Sequence, residues 1–294
     1  MISFKMDYVA NNTFAEVISR LKNFWVARGC LILDSYDLEV GAATSHPDTI
    51  LRAVSKSPYK VAFTQKCRRP QDSRGETGRN RLYRHTQLQV LLAPPPESIQ
   101  YLVELSLIQA GINPKVSDIQ FLEDNWQNPS LGAAGKGYEV RCNGMEVLQF
   151  TYFQQMFGEP LENVPVELAY GLERLVMMIQ KKESVWDLVM EIIDGREVTY
   201  GDMYRVFEQE SSEARFDPGL LLELLDLQEK ISRNLAESGV FIPCYEAFLK
   251  MSHTFNLLES TGTVDVNNRV VIMDRLRKVA KNCYEKTIRG KHDF

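Results

Sequence analysis

The sequence predicts an α+β fold that passes into an all-helical C-terminal region. Three observations predict it. Asn143-Gly144 is a two-residue hairpin signal, because both central positions of a type I′ turn need positive φ. Apolar residues recur at helical spacing in three separated stretches, 14–25, 97–110 and 172–180, with strand-like segments between them. Beyond Pro218 the pattern is helical throughout, opened by Leu220, Leu221, Leu224, Leu225 and Leu227.

From the N-terminus, Thr13 and Glu16 make a capping box ahead of Phe14, Val17, Ile18, Leu21, Phe24 and Trp25. Gly29 ends that helix, and residues 31–33 read as a short strand. The loop Gly41-Ala-Ala-Thr-Ser-His-Pro47 leads into a short helix over 48–54. Residues 61–64 and 86–92 read as strands, the second alternating clearly, and Pro94-Pro-Pro96 breaks the chain. The helix over 97–110 ends at Gly111, its expected C-cap. Residues 119–122, the hairpin and 150–153 read as strands, and 166–170 is a strand that runs into the helix over 172–180. Polar Glu208-Gln-Glu-Ser-Ser-Glu213 and the turn signal Asp217-Pro-Gly219 set a boundary, dividing the chain into domains over 1–210 and 211–294.

A hydrophobic content of 44% suits a packed core, and a net charge of −5 supplies no overall basic field. A polyanionic partner therefore needs a local basic patch or another subunit. Cys30, Cys67, Cys142, Cys244 and Cys283 are scattered without a Cys-x-x-Cys pair. That predicts neither a zinc site nor a disulfide framework, and it fits a reducing compartment. No export signal and no membrane-length apolar run are read, so a cytoplasmic location is expected.

Three segments carry chemistry. In a regular hairpin closed at Asn143-Gly144, Cys142 faces Met145, Arg141 faces Glu146 and Glu139 faces Leu148, which puts Glu139, Arg141, Glu146 and Leu148 on one face. Two carboxylates there could hold Mg²⁺ against phosphate oxygens, or the face could be a solvated polar surface. The loop between the strands at 61–64 and 86–92 carries Arg68, Arg69, Arg74, Arg79, Arg81 and Arg84 with Gly75 and Gly78. Guanidinium forks match phosphate bidentately, at roughly 1.5–3 kcal/mol per charged hydrogen bond; a solvated, mobile loop is the alternative. In Tyr170-Gly-Leu-Glu-Arg-Leu175, Gly171 permits close backbone approach and Arg174 projects from the first helical turn. Taken alone, Gly-x-x-Arg more often marks an ordinary packed helix with one surface arginine.

These features occur with Tyr36-Asp-Leu-Glu-Val-Gly-Ala42, Ser45-His-Pro47, Arg68-Arg-Pro70, Leu122-Glu-Asp-Asn-Trp126, Gln149-Phe-Thr-Tyr-Phe-Gln-Gln155 and Ser252-His-Thr-Phe-Asn-Leu-Leu258. In that order they resemble class II aminoacyl-tRNA synthetases and, within them, the α subunit of the bacterial two-chain glycyl-tRNA synthetases, over about 14–284. The resemblance implies an antiparallel sheet flanked by helices rather than a Rossmann nucleotide fold. It implies ATP and Mg²⁺ as cofactors, activation of glycine to the adenylate and transfer to tRNA(Gly). The implied partners are a β subunit that supplies most tRNA recognition and a second α subunit, met through the segment up to Pro47.

The resemblance also implies roles. Arg69 would bind the α-phosphate and substrate carboxylate, Arg81 the terminal phosphates, and Arg174 the adenine and γ-phosphate side, these three being the catalytic residues. Gln71, His85, Gln87 and Gly171 would complete the ATP site, His85 by stacking on adenine, and Glu139 and Glu146 would hold Mg²⁺. Glu123, Arg141, Gln149 and Thr151 would line the amino-acid pocket, with Asp124 beside them. The sequence departs from the family pattern around that pocket: tryptophans of the pattern are replaced at Ala134, Tyr138 and Arg141, and the arginine loop is rewritten. Two other functions remain in view, a synthetase paralogue that activates a different amino acid for a non-tRNA acceptor, and a non-catalytic ligand-binding regulator. His46 reads as a loop or dimer-interface residue, and His253 as a packing or subunit contact.

Overall fold

The structure, a computed structural model, describes residues 11–73, 80–289 and 291; Arg74, Gly75, Gly78 and Arg79 of the basic loop lie outside the described residues. One sheet organises the chain. Its strands are β1 (Leu31–Leu33), β2 (Tyr59–Arg68), β3 (Arg84–Ala93), β4 (Ile119–Asn128), β5 (Ala133–Cys142), β6 (Met145–Met156), β7 (Glu159–Pro160) and β8 (Val166–Gly171). The order is β1-β2-β3-β8-β6-β5-β4, with β7 paired to β6. Only β1 runs parallel to its neighbour; every other pairing is antiparallel.

Strand alternation sends side chains to two different cores. Leu88, Val90, Phe150, Leu168 and Tyr170 pack under helices α1 (Phe14–Val26), α3 (Ile99–Ala110) and α4 (Leu172–Gln180), meeting Leu21, Trp25, Val103, Leu107 and Val176. The capping box at Thr13 and Glu16 starts α1, and Gly111, at φ 128°, ends α3. On the other face Val61, Phe63, Leu91 and Phe153 pack with helix α2 (Pro47–Val54) and the C-terminal helices. Each such buried side chain contributes about 1.5–3 kcal/mol relative to exposure. The sheet thus shares a core with the helical C-terminal region, leaving the arginine-loop end of its second face open.

Four findings extend or correct the sequence reading. Strand β4 continues to Asn128, well past residue 122. A small antiparallel pair, β9 (Val189–Ile193) and β10 (Arg196–Thr199), was not foreseen. The polar stretch read as a boundary is the end of helix α5 (Tyr200–Glu213), started by a capping box of Thr199 and Asp202. Its polarity reflects a solvated face, and the chain leaves the helix only at 214–217, where Asp217 caps α6 (Pro218–Glu237). Finally, Cys244 of α7 (Phe241–Ser260) and Cys283 of α8 (Val266–Thr287) form a disulfide with Cα atoms 6.0 Å apart, contrary to the expectation of none. They are separated by 39 residues, and only the side-by-side packing of two helices brings them together. Cys30, Cys67 and Cys142 are buried free thiols. Among the described residues no helix is long and apolar enough to cross a membrane.

Candidate active site

The hairpin that carries the two glutamates is not regular. Asn143 and Gly144 both have positive φ, and Cys142 faces Met145 and Arg141 faces Glu146, as the turn requires. The register then shifts: Val140 faces Leu148 and Glu139 faces Gln149, not Leu148. Val147 is the extra residue of a β-bulge, and Val147 and Leu148 are both buried in the helix-side core with Val140. Two adjacent apolar side chains seek the same core, and the bulge lets both reach it. Glu139, Arg141, Glu146 and Gln149 are therefore left on the open face, with Gln149 in the place expected for Leu148.

A cavity on that face is lined by Arg69, Asp72, Arg81, His85, Gln87, Glu146, Gln149, Gly171 and Arg174, drawn from β3, β6, β8, α4 and both legs of the arginine loop. Each of the three arginines is held by a light rim contact. Arg69 Nε donates to the Gly41 carbonyl at 3.1 Å, Arg81 lies 3.7 Å from Asp72, and Arg174 lies 3.0 Å from Glu146. Exposed ion pairs contribute about 0–1 kcal/mol, whereas a charged hydrogen bond to an anion contributes roughly 1.5–3 kcal/mol. A polyanion entering the cavity can therefore capture all three. His85 is neutral: burial, then the charges of Arg69, Arg174 and Lys66, push its imidazole down to about 3. Gln87 is fixed by the amide of Ala43, at 2.8 Å to its side-chain oxygen, so the loop after Gly41 lies over this part of the sheet. Gly171 has open room: a Cβ there would meet only the Val147 carbonyl, at 3.8 Å.

Behind the cavity stands a buried polar frame absent from the sequence reading. Both Glu173 oxygens accept from the Thr86 amide, at 2.8 and 2.9 Å, and the Lys66 ammonium donates to the Thr86 hydroxyl at 2.7 Å. Burial raises the Glu173 carboxyl and lowers the Lys66 ammonium, each opposed by the charge of the other. Glu208 of α5 accepts from the amides of Tyr83 and Arg84, at 2.6 and 3.1 Å. Asn80 donates to the Glu183 carbonyl and accepts from the Val185 amide. The return leg of the arginine loop is thus tied to α4, to the segment that follows it and to α5, which sets where Arg81 and Arg174 stand.

The structure separates some sequence-selected residues from this group. Gln71 is exposed and does not line the cavity; its neighbour Asp72 does. Glu123 pairs with Tyr138, which pairs with Phe150 of the helix-side core, so Glu123 points to the opposite face. A one-residue step along a strand reverses the face, and Asp124 is the acid on the cavity side, accepting from Gln149 at 2.5 Å. Thr151 is on the cavity-side face but only 1% exposed, next to Glu167 in the adjoining strand. Glu167 is a site feature that sequence reasoning missed. Fully buried, it is hydrogen-bonded by Gln89 and Thr44, and burial raises its carboxyl to about 7. The alternation Glu167, Ala169, Gly171 along β8, ending at the cavity, was the available signal. His46 is a helix cap rather than a dimer contact: Nδ1 accepts from the Asp48 amide and the ring packs 4.2 Å from that of Phe63.

The two glutamates fit a shared cation only in part. Glu139 is bonded by Arg141 at 2.6 Å and Glu146 by Arg174 at 3.0 Å, and among the described residues no group of three potential metal ligands occurs. Mg²⁺ commonly takes one or two carboxylates and completes its shell with substrate phosphate and water. The pair suits an ion that arrives with a triphosphate, not a metal held by protein alone.

Two solved pyrrolysyl-tRNA synthetase structures from Desulfitobacterium hafniense align at a TM-score of 0.44 and 14% identity, over 63% of this chain and 73% and 76% of theirs. The model of the family described as glycyl-tRNA synthetase alpha subunit matches residues 14–292, nearly the whole chain. The chain therefore belongs to the glycyl-tRNA synthetase alpha-subunit family, a family of class II aminoacyl-tRNA ligases.

Proposed function

We propose that this protein activates glycine with ATP to glycyl-adenylate and, together with a β subunit, transfers the glycyl group to tRNA(Gly) in the cytoplasm. The observation that carries the reading is the convergence of Arg69, Arg81 and Arg174 with Glu146, His85 and Gly171 around one cavity. In this reading the amino-acid carboxylate attacks the α-phosphorus, the bond to the bridging oxygen breaks, and pyrophosphate leaves. Arg69 holds the α-phosphate and the carboxylate, Arg81 and Arg174 hold the outer phosphates, and neutral His85 stacks on the base without adding charge. Glu139 and Glu146 would hold Mg²⁺, which supplies charge neutralisation at the phosphates. No protein nucleophile is required; the rate comes from positioning and from fixed positive charge. A terminal ribose hydroxyl of tRNA then attacks the adenylate carbonyl and AMP leaves. The net charge of −5 fits a division of labour in which the β subunit binds most of the tRNA.

The test is ATP–pyrophosphate exchange with purified protein, screened across amino acids with and without the β subunit. Exchange that depends on glycine supports the reading. A second reading, a paralogue that activates another amino acid, has one observation in its favour: Arg141 replaces an aromatic residue of the family pattern and lies on the cavity-side face. Exchange with a larger or acidic amino acid, and none with glycine, selects that second reading. Absence of exchange with every amino acid and either subunit composition removes both.

A further inference from the structure

Helix α6 is apolar on two sides. Leu221, Leu225 and Ala236 face inward and are buried in the core shared with α7 and α8. Leu220, Leu224, Leu227 and Ile231 form a second stripe, 66, 42, 53 and 45% exposed. Their spacing of four, three and four residues is that of a coiled-coil seam, so the surface is shaped to receive another helix. A continuous apolar row of this kind on a solvated helix marks an interaction surface.

The charges beside the stripe indicate which helix. On the inner side every acid is engaged: Asp226 and Glu229 bind Arg275, and Glu229 also binds Arg233. Glu223 and Lys230 flank the stripe on one side, are exposed, and have no ion-pair partner among the described residues. They stand seven residues apart, at equivalent positions of consecutive heptads. In a parallel pair of α6 helices, Glu223 would face a glutamine (Gln228 of the partner subunit) and Lys230 a leucine, leaving both charges unmatched. In an antiparallel pair these flanking positions face each other, so Glu223 meets Lys230 of the partner subunit and, by symmetry, Lys230 meets Glu223 of the partner subunit. The same register stacks Leu220 on Ile231 of the partner subunit and Leu224 on Leu227 of the partner subunit.

We infer that α6 is a self-association surface, pairing antiparallel with α6 of a second copy of this chain across a two-fold axis. Such an interface is isologous, the commonest form of self-association. It is built on the C-terminal helices and is separate from the N-terminal segment expected to join α subunits. The two contacts together would couple dimers into a dimer of dimers.

Sedimentation velocity over a range of concentrations, with circular dichroism as a control on folding, tests the inference. Leu224→Asp, at an exposed site, is expected to raise the dissociation constant of the largest species at least tenfold without changing the melting curve. Glu223→Lys and Lys230→Glu should each weaken association about three- to tenfold, and the double variant Glu223→Lys/Lys230→Glu should restore it. Only pairing of these positions across a two-fold axis predicts that rescue. A mixture of the separate variants Leu224→Cys and Leu227→Cys should cross-link at least tenfold more than either alone. The inference is overturned if Leu224→Asp leaves the mass distribution unchanged, if the double charge variant associates no better than the single ones, or if cross-links form only to a different protein.

Discussion

The two ends of the cavity are built differently. At the nucleotide end the functional side chains are exposed, but the backbone that carries them is fastened from behind: Glu173 holds β3, Glu208 holds the return leg of the arginine loop, and Asn80 ties that loop to the segment after α4. At the hairpin end Glu139, Arg141 and Glu146 stand on a bulged two-strand turn whose charges are satisfied chiefly by one another and by Arg174. The difference teaches where change is tolerated. A site whose geometry comes from a buried frame loses function when its tips are removed and loses folding when the frame is cut. A site whose geometry comes from surface ion pairs can be re-tuned by substitution with little structural cost.

The largest expected effect is catalytic and separates tip from frame. Arg174→Ala should lower pyrophosphate exchange by at least about 100-fold, as loss of a transition-state electrostatic donor does elsewhere. Its one ion pair is a half-exposed contact with Glu146, so the thermal midpoint should move little. Exchange at the parental rate would take Arg174 out of the site.

Glu173→Ala, one residue away, should do the reverse. It strips both acceptors from the Thr86 amide and leaves Lys66 buried without its counter-charge. Breaking a buried charged pair from one side costs about 3–5 kcal/mol, readable in urea unfolding. A loss below 1 kcal/mol would mean that the frame is not what holds the nucleotide end.

Glu167 gives the frame a pH signature. Its carboxyl is raised from an ordinary 4.5 to about 7, so the folded chain keeps a proton that the unfolded chain has released between those values. The protonated state's stability is fully present below about pH 4.5 and is lost as pH rises through 7. The total is about 3 kcal/mol if burial is complete on folding. Glu167→Gln should flatten this slope and be the more stable protein at pH 8. Parallel pH profiles for the two proteins would show that Glu167 is charged in the folded state.

How much of this was legible in the sequence follows the same division. Signals that act within one helical turn were readable: the capping box at Thr13, the C-cap at Gly111 and the helix at Leu172–Gln180 are where the pattern puts them. The tips Arg69, Arg81, Arg174 and His85 were readable through the family resemblance, and the structure gathers them at one cavity. The frame was not readable, because Glu173, Glu208 and Asn80 act on residues 87, 125 and 105 positions away. The bulge had a local signal that was passed over: Glu146-Val-Leu-Gln149 breaks alternation, and two adjacent apolar residues in a one-sided strand call for an inserted residue. The choice of Glu123 over Asp124 failed for want of a face assignment on β4, which pairing with β5 supplies and β4 alone does not.

The smallest expected effect falls at the hairpin and sharpens the contrast most. Arg141 is a fixed cation 2.6 Å from Glu139, in the position a divalent ion would need if both glutamates held one. Its guanidinium must leave Glu139, or share it, before that carboxylate can serve an arriving cation. An exposed pair is weak, so the barrier is small: Arg141→Gln should lower the Mg²⁺ concentration for half-maximal exchange by about two- to fivefold and leave the melting curve unchanged. Mn²⁺ binding followed by electron paramagnetic resonance in the presence of ATP should tighten by a similar factor. If Arg141→Gln instead leaves metal dependence alone and changes which amino acid supports exchange, Arg141 points to substrate rather than to metal. The open hairpin, not the fastened nucleotide end, would then be where this chain has diverged in specificity.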